Sequence, residues 1–210
     1  MAYSDFKLFE VQQKFAINIQ EDSNLFANVK EVALPKTLFD ILSRYLPLAL
    51  NLNTEKARSE LLIAPFLTEF QLLHHTKVSM FSGIEFNVNE AMGLKGRCDY
   101  ILSSSPQQLL LTAPICVLVE AIPPEGASWN QEAKNENIIG GLGQCLAEML
   151  AAKQFNFEQG HPVDCIYGAV TTGIQWRFLK LENQTAFVDA VEYSIQDPEK
   201  IFGILEHIAL

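Results

Sequence analysis

Much that would assign a function at sight is missing from this chain. Its four cysteines, at 98, 116, 145 and 165, stand far apart in apolar stretches. No Cys-x-x-Cys or Cys/His spacing offers a zinc site, and buried free thiols are the expected state. No apolar run approaches the roughly 18 residues that cross a bilayer, so no membrane partner is expected. The opening MAYSDFKLFEVQQKF does not set basic before apolar residues as a secretory signal does, which leads to the expectation of a soluble, cytoplasmic protein. Positive charge is scarce: 15 Lys and Arg face 25 Asp and Glu, for a net charge of −10. Nucleic acid repels such a chain as a whole, so any contact with DNA is expected to be local and transient. Repeats and low-complexity segments are absent, and the GGLG at 140–143 lacks the Lys-Ser/Thr ending of a phosphate loop.

What is present suffices for a packed core. With 210 residues, 49% of them hydrophobic, the chain is expected to form one compact domain, with residues 1–50 as a helical segment packed on a core of 51–210. LPKTLFDILSRYLPLAL reads as a helix over about 35–48, and NTEKARSELLIAPFLTEFQLLHH as a longer one capped by Asn53 or Thr54 and bent by Pro65. Strands are expected over about 77–90 and 96–104, then in the near-continuous apolar run PICVLVEA, whose pattern suits burial on both faces. A helix follows over about 135–156, with Gly140, Gly141 and Gly143 allowing close approach to a neighbour. DCIYGAVTTG, WRFLKLEN and AFVDAVEYS read as further strands, and DPEKIFGILEHIAL as a closing helix capped by Asp197 with Pro198 in its first turn. The order implies a mixed α/β fold with a central sheet flanked by helices.

Two carboxylates interrupt the apolar strands: Asp99 in CDYIL and Glu120 in VLVEA. A buried carboxylate is costly unless a cation or hydrogen bonds compensate it. Two of them at neighbouring strand ends would repel, and a hard divalent cation removes that repulsion. Bonding to backbone amides is the alternative, and the pattern alone leaves both open.

An Asp followed one strand later by a Glu-x-Lys resembles the core of the PD-(D/E)XK nuclease superfamily. The segments EKARSELLIAPFL, GLKGRCDYIL, GLGQCLAEMLAA and YGAVTTGIQWRFLKLE are similar to bacterial, including cyanobacterial, members of it. The likeness covers roughly residues 50–183. It implies a restriction-endonuclease-like fold and a Mg²⁺- or Mn²⁺-dependent nuclease hydrolysing DNA phosphodiesters. Carried over by position, Asp99 and Glu120 are the metal-binding carboxylates, the Ala121 carbonyl is a backbone ligand, Glu60 is a helical addition to the metal shell, and Gln144 lies beside the site. Lys95 and Arg97 are candidates for phosphate contact. The superfamily often pairs as homodimers, which makes a homodimer an expectation here.

The lysine departs from the pattern. Glu-Ala occurs at 120–121 and again at 132–133, and only the second copy is followed by lysine, Lys134; position 122 is Ile. The PPEGASWNQ preceding Glu132 is turn material, which makes Glu120 the better ligand. Lys134 is then the candidate for orienting the water, from across a twelve-residue insert. Three readings stay open: a working nuclease, a nuclease fold that has lost hydrolysis and serves as a binding or regulatory module, and a structural subunit anchored through Trp129.

Overall fold

The computed structural model describes residues 1–124 and 138–210. Among the described residues seven strands form one sheet: β1 (Asn18–Gln20), β2 (Ser79–Glu85), β3 (Arg97–Ser103), β4 (Ile115–Ala121), β5 (Cys165–Thr171), β6 (Gln175–Glu182) and β7 (Thr185–Ser194). Their spatial order is β1-β7-β6-β5-β4-β3-β2. β1 runs parallel to β7 and β4 parallel to β5, while the other neighbours are antiparallel. The fold is thus mixed α/β, with a mixed sheet between helices.

Each face of the sheet carries its own apolar layer. One is covered by α2 (Lys36–Leu52), α3 (Glu55–Arg58), α4 (Ala64–Leu73) and α6 (Pro198–Ala209), and buries Phe66, Phe70, Trp176, Phe178 and Phe202. The other is covered by α1 (Leu8–Phe15) and the 21-residue α5 (Ile138–Glu158), and buries Ile101, Leu118, Leu146, Met149 and Val170. Burial on both faces accounts for the near-continuous apolar run of β4, in which every residue but Cys116 is buried. All four cysteines are free thiols. Among the described residues no helix is long and apolar enough to cross a membrane.

The N-terminal segment is woven into the sheet. β1 extends the ladder beyond β7, and the Asn18 N–H donates to the Gln184 carbonyl at 2.8 Å. Farther along, the buried Asp189 carboxylate accepts from the Leu25 and Val191 N–H groups and the Tyr193 hydroxyl, which fastens the following loop to β7.

Thr54 caps α3 by accepting from the Ala57 N–H at 3.1 Å. Pro65 acts on this helix through a widened turn. Ser59–Ile63 is π-helical, and the Ala64 N–H reaches back to the Ser59 carbonyl. Proline cannot donate to the carbonyl four residues before it, and the extra residue in the turn absorbs that defect.

The glycines of α5 divide. A methyl at Gly140 would meet nothing within 4 Å, whereas one at Gly141 would lie 2.7 Å from Val170 Cγ1 and 2.8 Å from Ile122 Cγ2. At Gly143 it would sit 2.5 Å from the Lys7 carbonyl carbon and 2.6 Å from the Leu8 nitrogen. Backbone cannot rotate out of the way. Gly143→Ala is therefore expected to cost about 1–3 kcal/mol in urea unfolding, and Gly140→Ala to be neutral or slightly stabilising.

Candidate functional site

The site lies where the β3–β4 ladder opens. Pairing between these strands runs through Tyr100 opposite Val119. Beyond that point the Ala121 N–H donates to the Asp99 carboxylate, at 2.9 Å from Oδ2. On its other side β4 stays paired: Glu120 stands opposite Val170, and the Ile122 N–H donates to the Thr171 carbonyl at 2.8 Å. Asp99 is thereby fixed one residue from Glu120 by the sheet itself.

Two helices bring further carboxylates to the same place. Arg58, the last residue of α3, ties the residues flanking that helix to the residue after β5, with Nη1 3.3 Å from the Thr172 carbonyl and Nη2 2.7 Å from Asn53 Oδ1. The Ser59 and Tyr100 hydroxyls meet at 2.7 Å and hold the π turn to β3. This seats Glu55, in the first turn, close enough to Asp99 and Glu120 for their charges to act on one another. From the opposite face α5 supplies Gln144 and Glu148, with Gln144 Nε2 donating to Glu148 Oε1 at 3.2 Å.

Burial of these acids is severe. Glu120 is 7% exposed and Glu148 not at all. Glu120 Oε2 and Glu148 Oε2 have no hydrogen-bond partner among the described residues. Desolvation drives the pKa of Glu120 strongly upward, and the charges of Glu148, Asp99 and Glu55 add to it. Glu148 is raised chiefly by desolvation, with its hydrogen bond from Gln144 working the other way. Asp99 is raised by burial and pulled partly back by the Ala121 N–H. Burial also pushes the neighbouring Cys98 thiol far up, with the charges of Glu148 and Glu120 adding to it. Ionised together, Glu120 and Glu148 would be acceptors facing acceptors. A proton or a cation must stand between them.

The donor set suits a hard divalent cation: carboxylate oxygens, two of them unpartnered. Among the described residues, no three His, Cys, Asp or Glu side chains already form a cation-holding group, so water or backbone carbonyls would complete the shell.

Of the residues singled out in the sequence, Asp99, Glu120, Ala121 and Gln144 come together. Glu60 does not join them: it is 62% exposed and pairs with Lys56 at 2.7 Å, and Glu55 is instead the acid of this helix that feels the charge of Asp99. Lys95 and Arg97, the candidates for phosphate contact, pair with Glu90 at 3.1 Å and with Glu85 at 3.6 Å. His74, the last residue of its helix cap, lies 3.0 Å from Glu206 on α6. Lys134, Glu132 and Trp129 lie outside the described residues.

Glu148 was not singled out in the sequence. Its signal was there: it is the sole charged residue of IIGGLGQCLAEMLAA, the same oddity that marked Asp99 and Glu120 in their strands.

Compared with known proteins, the chain matches no family model, no curated protein and no solved structure.

Proposed function

We propose that the chain is a nuclease-like protein of restriction-endonuclease-like fold, whose strand-end carboxylates hold Mg²⁺ or Mn²⁺ and act on DNA phosphodiesters at a rate held low by the residue at 122. The supporting observation is the pair of buried, unpartnered carboxyl oxygens where the β3–β4 ladder opens. Asp99 and Glu120 would hold the cation, with the Ala121 carbonyl beside them. When bound, such an ion supplies Lewis acidity at a phosphoryl oxygen and a lowered pKa at water.

The chain's own residues do the positioning. Ala121 donates its N–H to Asp99 and so fixes one carboxylate, while Gln144 orients the α5 side of the cluster. Burial keeps bulk water from the carboxyl oxygens and strengthens every charge interaction there. Position 122 supplies no proton carrier. Ile122 packs on Gly141 of α5 and can neither take nor give a proton.

That same packing, with Lys95 and Arg97 engaged by Glu85 and Glu90, favours the second reading, a binding or regulatory module that no longer hydrolyses. Cleavage of single- and double-stranded DNA in Mn²⁺ separates the two. The first reading expects slow cleavage that falls at least about 10²-fold in Asp99→Ala. Absence of cleavage under conditions where Mn²⁺ binds leaves the module.

A further inference from the structure

We propose that the outer edge of β2 is a self-association surface, which takes β2 of a second copy antiparallel across a two-fold axis, and that Gln108 is the plug holding it closed in the single chain.

β2 ends the sheet, so among the described residues no strand lies along its outer side. In an antiparallel ladder the backbone groups of successive residues point alternately to the two sides. Met80 points outward, and a side chain takes both of its groups. Gln108 Oε1 accepts from the Met80 N–H at 3.2 Å, and Gln108 Nε2 donates to the Met80 carbonyl at 2.5 Å. A carboxamide held this way offers the acceptor and donor of a peptide group, in the place where the next strand's peptide would lie. Ser82, two residues on and in register with Tyr100, shares the outward direction. Such an edge is a template for a further strand. The opposite edge offers little, since β1 is three residues long.

The partner that this edge fits is a copy of itself. A two-fold axis through Phe81 sets Met80 opposite Ser82 of the second copy, and Ser82 opposite its Met80, so the outward donors and acceptors meet as two hydrogen-bonded pairs. The same register sets Lys77 opposite Glu85 of the second copy, with no charged residue between them in KVSMFSGIE. Opposite charges facing across strands attract. Two chains of charge −10 repel as wholes, and an edge without net negative charge is where they can meet. The plug itself is lightly held. Leu109 and Leu110, which follow it, are 97% and 70% exposed, so little packing opposes its release.

Sedimentation equilibrium of the full chain at low salt tests this. Gln108→Ala is expected to dimerise at least about tenfold more tightly than the wild type, because two plugs of two hydrogen bonds each no longer compete. Amide exchange at Met80 and Ser82 should slow as the dimer forms. Adding Lys77→Glu to Gln108→Ala is expected to weaken the dimer at least about threefold, and adding Glu85→Lys to both is expected to restore it. Lys77, Glu85 and Gln108 are all exposed, and circular dichroism confirms that the variants fold. Gln108→Ala associating no more tightly than the wild type would overturn the proposal. So would a dimer indifferent to the charge reversal, one that leaves the Met80 and Ser82 amides unprotected, or assembly beyond two copies.

Discussion

Glu120→Gln is expected to stabilise the cation-free chain at pH 8 by about 1–4 kcal/mol, because the wild type must hold on its buried carboxyl a proton that the unfolded chain has released. Glu120 is nearly wholly buried, one of its oxygens has no partner among the described residues, and the charges of Glu148, Asp99 and Glu55 that act on it are all negative. Its pKa in the folded chain, like those of Glu148 and Asp99, stands above that of an unfolded carboxyl, near 4.3 for Glu. The folded chain then holds protons that the unfolded chain has released. Stability is fully present below about pH 4 and is lost as pH rises toward the folded values, so wild-type stability falls across the neutral range. Glutamine keeps its hydrogens at every pH and can donate one to Glu148. Urea unfolding at pH 5, 7 and 9, without divalent ions, should give a falling series for the wild type and a flatter one for the variant. A wild-type stability that climbs from pH 5 to 9 would mean that these carboxylates are compensated in a way the structure does not show.

Ile122→Lys carries the largest expected change in chemistry. Residues two apart on a strand share a face, and the Ile122 N–H to Thr171 bond continues the ladder one residue past β4. A lysine at 122 would therefore project to the Glu120 side, its stem along Gly141 and its ammonium toward the carboxylates. That is the position at which the resemblance to PD-(D/E)XK nucleases expects lysine. A positioned proton carrier contributes about 10²–10⁴-fold, and Mn²⁺-dependent cleavage of DNA should rise by at least about 10²-fold. The ammonium also sits beside uncompensated acids, so the variant should tolerate the substitution at neutral pH. Unchanged cleavage in a folded variant that still binds Mn²⁺ would favour the regulatory module over the impaired nuclease.

The sheet was legible where burial imposed a pattern. β3, β4 and β5 were readable because strands covered on both faces leave few polar positions, and a lone Asp or Glu in such a run stands out. β1 was not foreseen, and α1 was covered only by the general expectation of a helical segment over 1–50. α1 buries only Val11, and β1 is three residues with no buried side chain, so pairing with β7 and packing on α5 hold them rather than any local preference. Glu60 was assigned to the metal shell by resemblance alone; it lies within the π turn before Pro65, where an added residue shifts the facing side, and it pairs with Lys56. Glu55 and Glu148 reach the site from opposite faces of the sheet. That convergence depends on which layer each helix covers, and periodicity along one helix does not contain it.

Crystals of the chain soaked in Mn²⁺, with anomalous difference maps, test the cation site most directly. The account predicts one strong peak within coordinating distance of both Asp99 and Glu120, about 2.0–2.6 Å from carboxylate oxygen, and its disappearance in Glu120→Gln. A peak elsewhere with the cluster empty at millimolar Mn²⁺ would contradict it, and would leave Glu120 and Glu148 as acids sharing a proton.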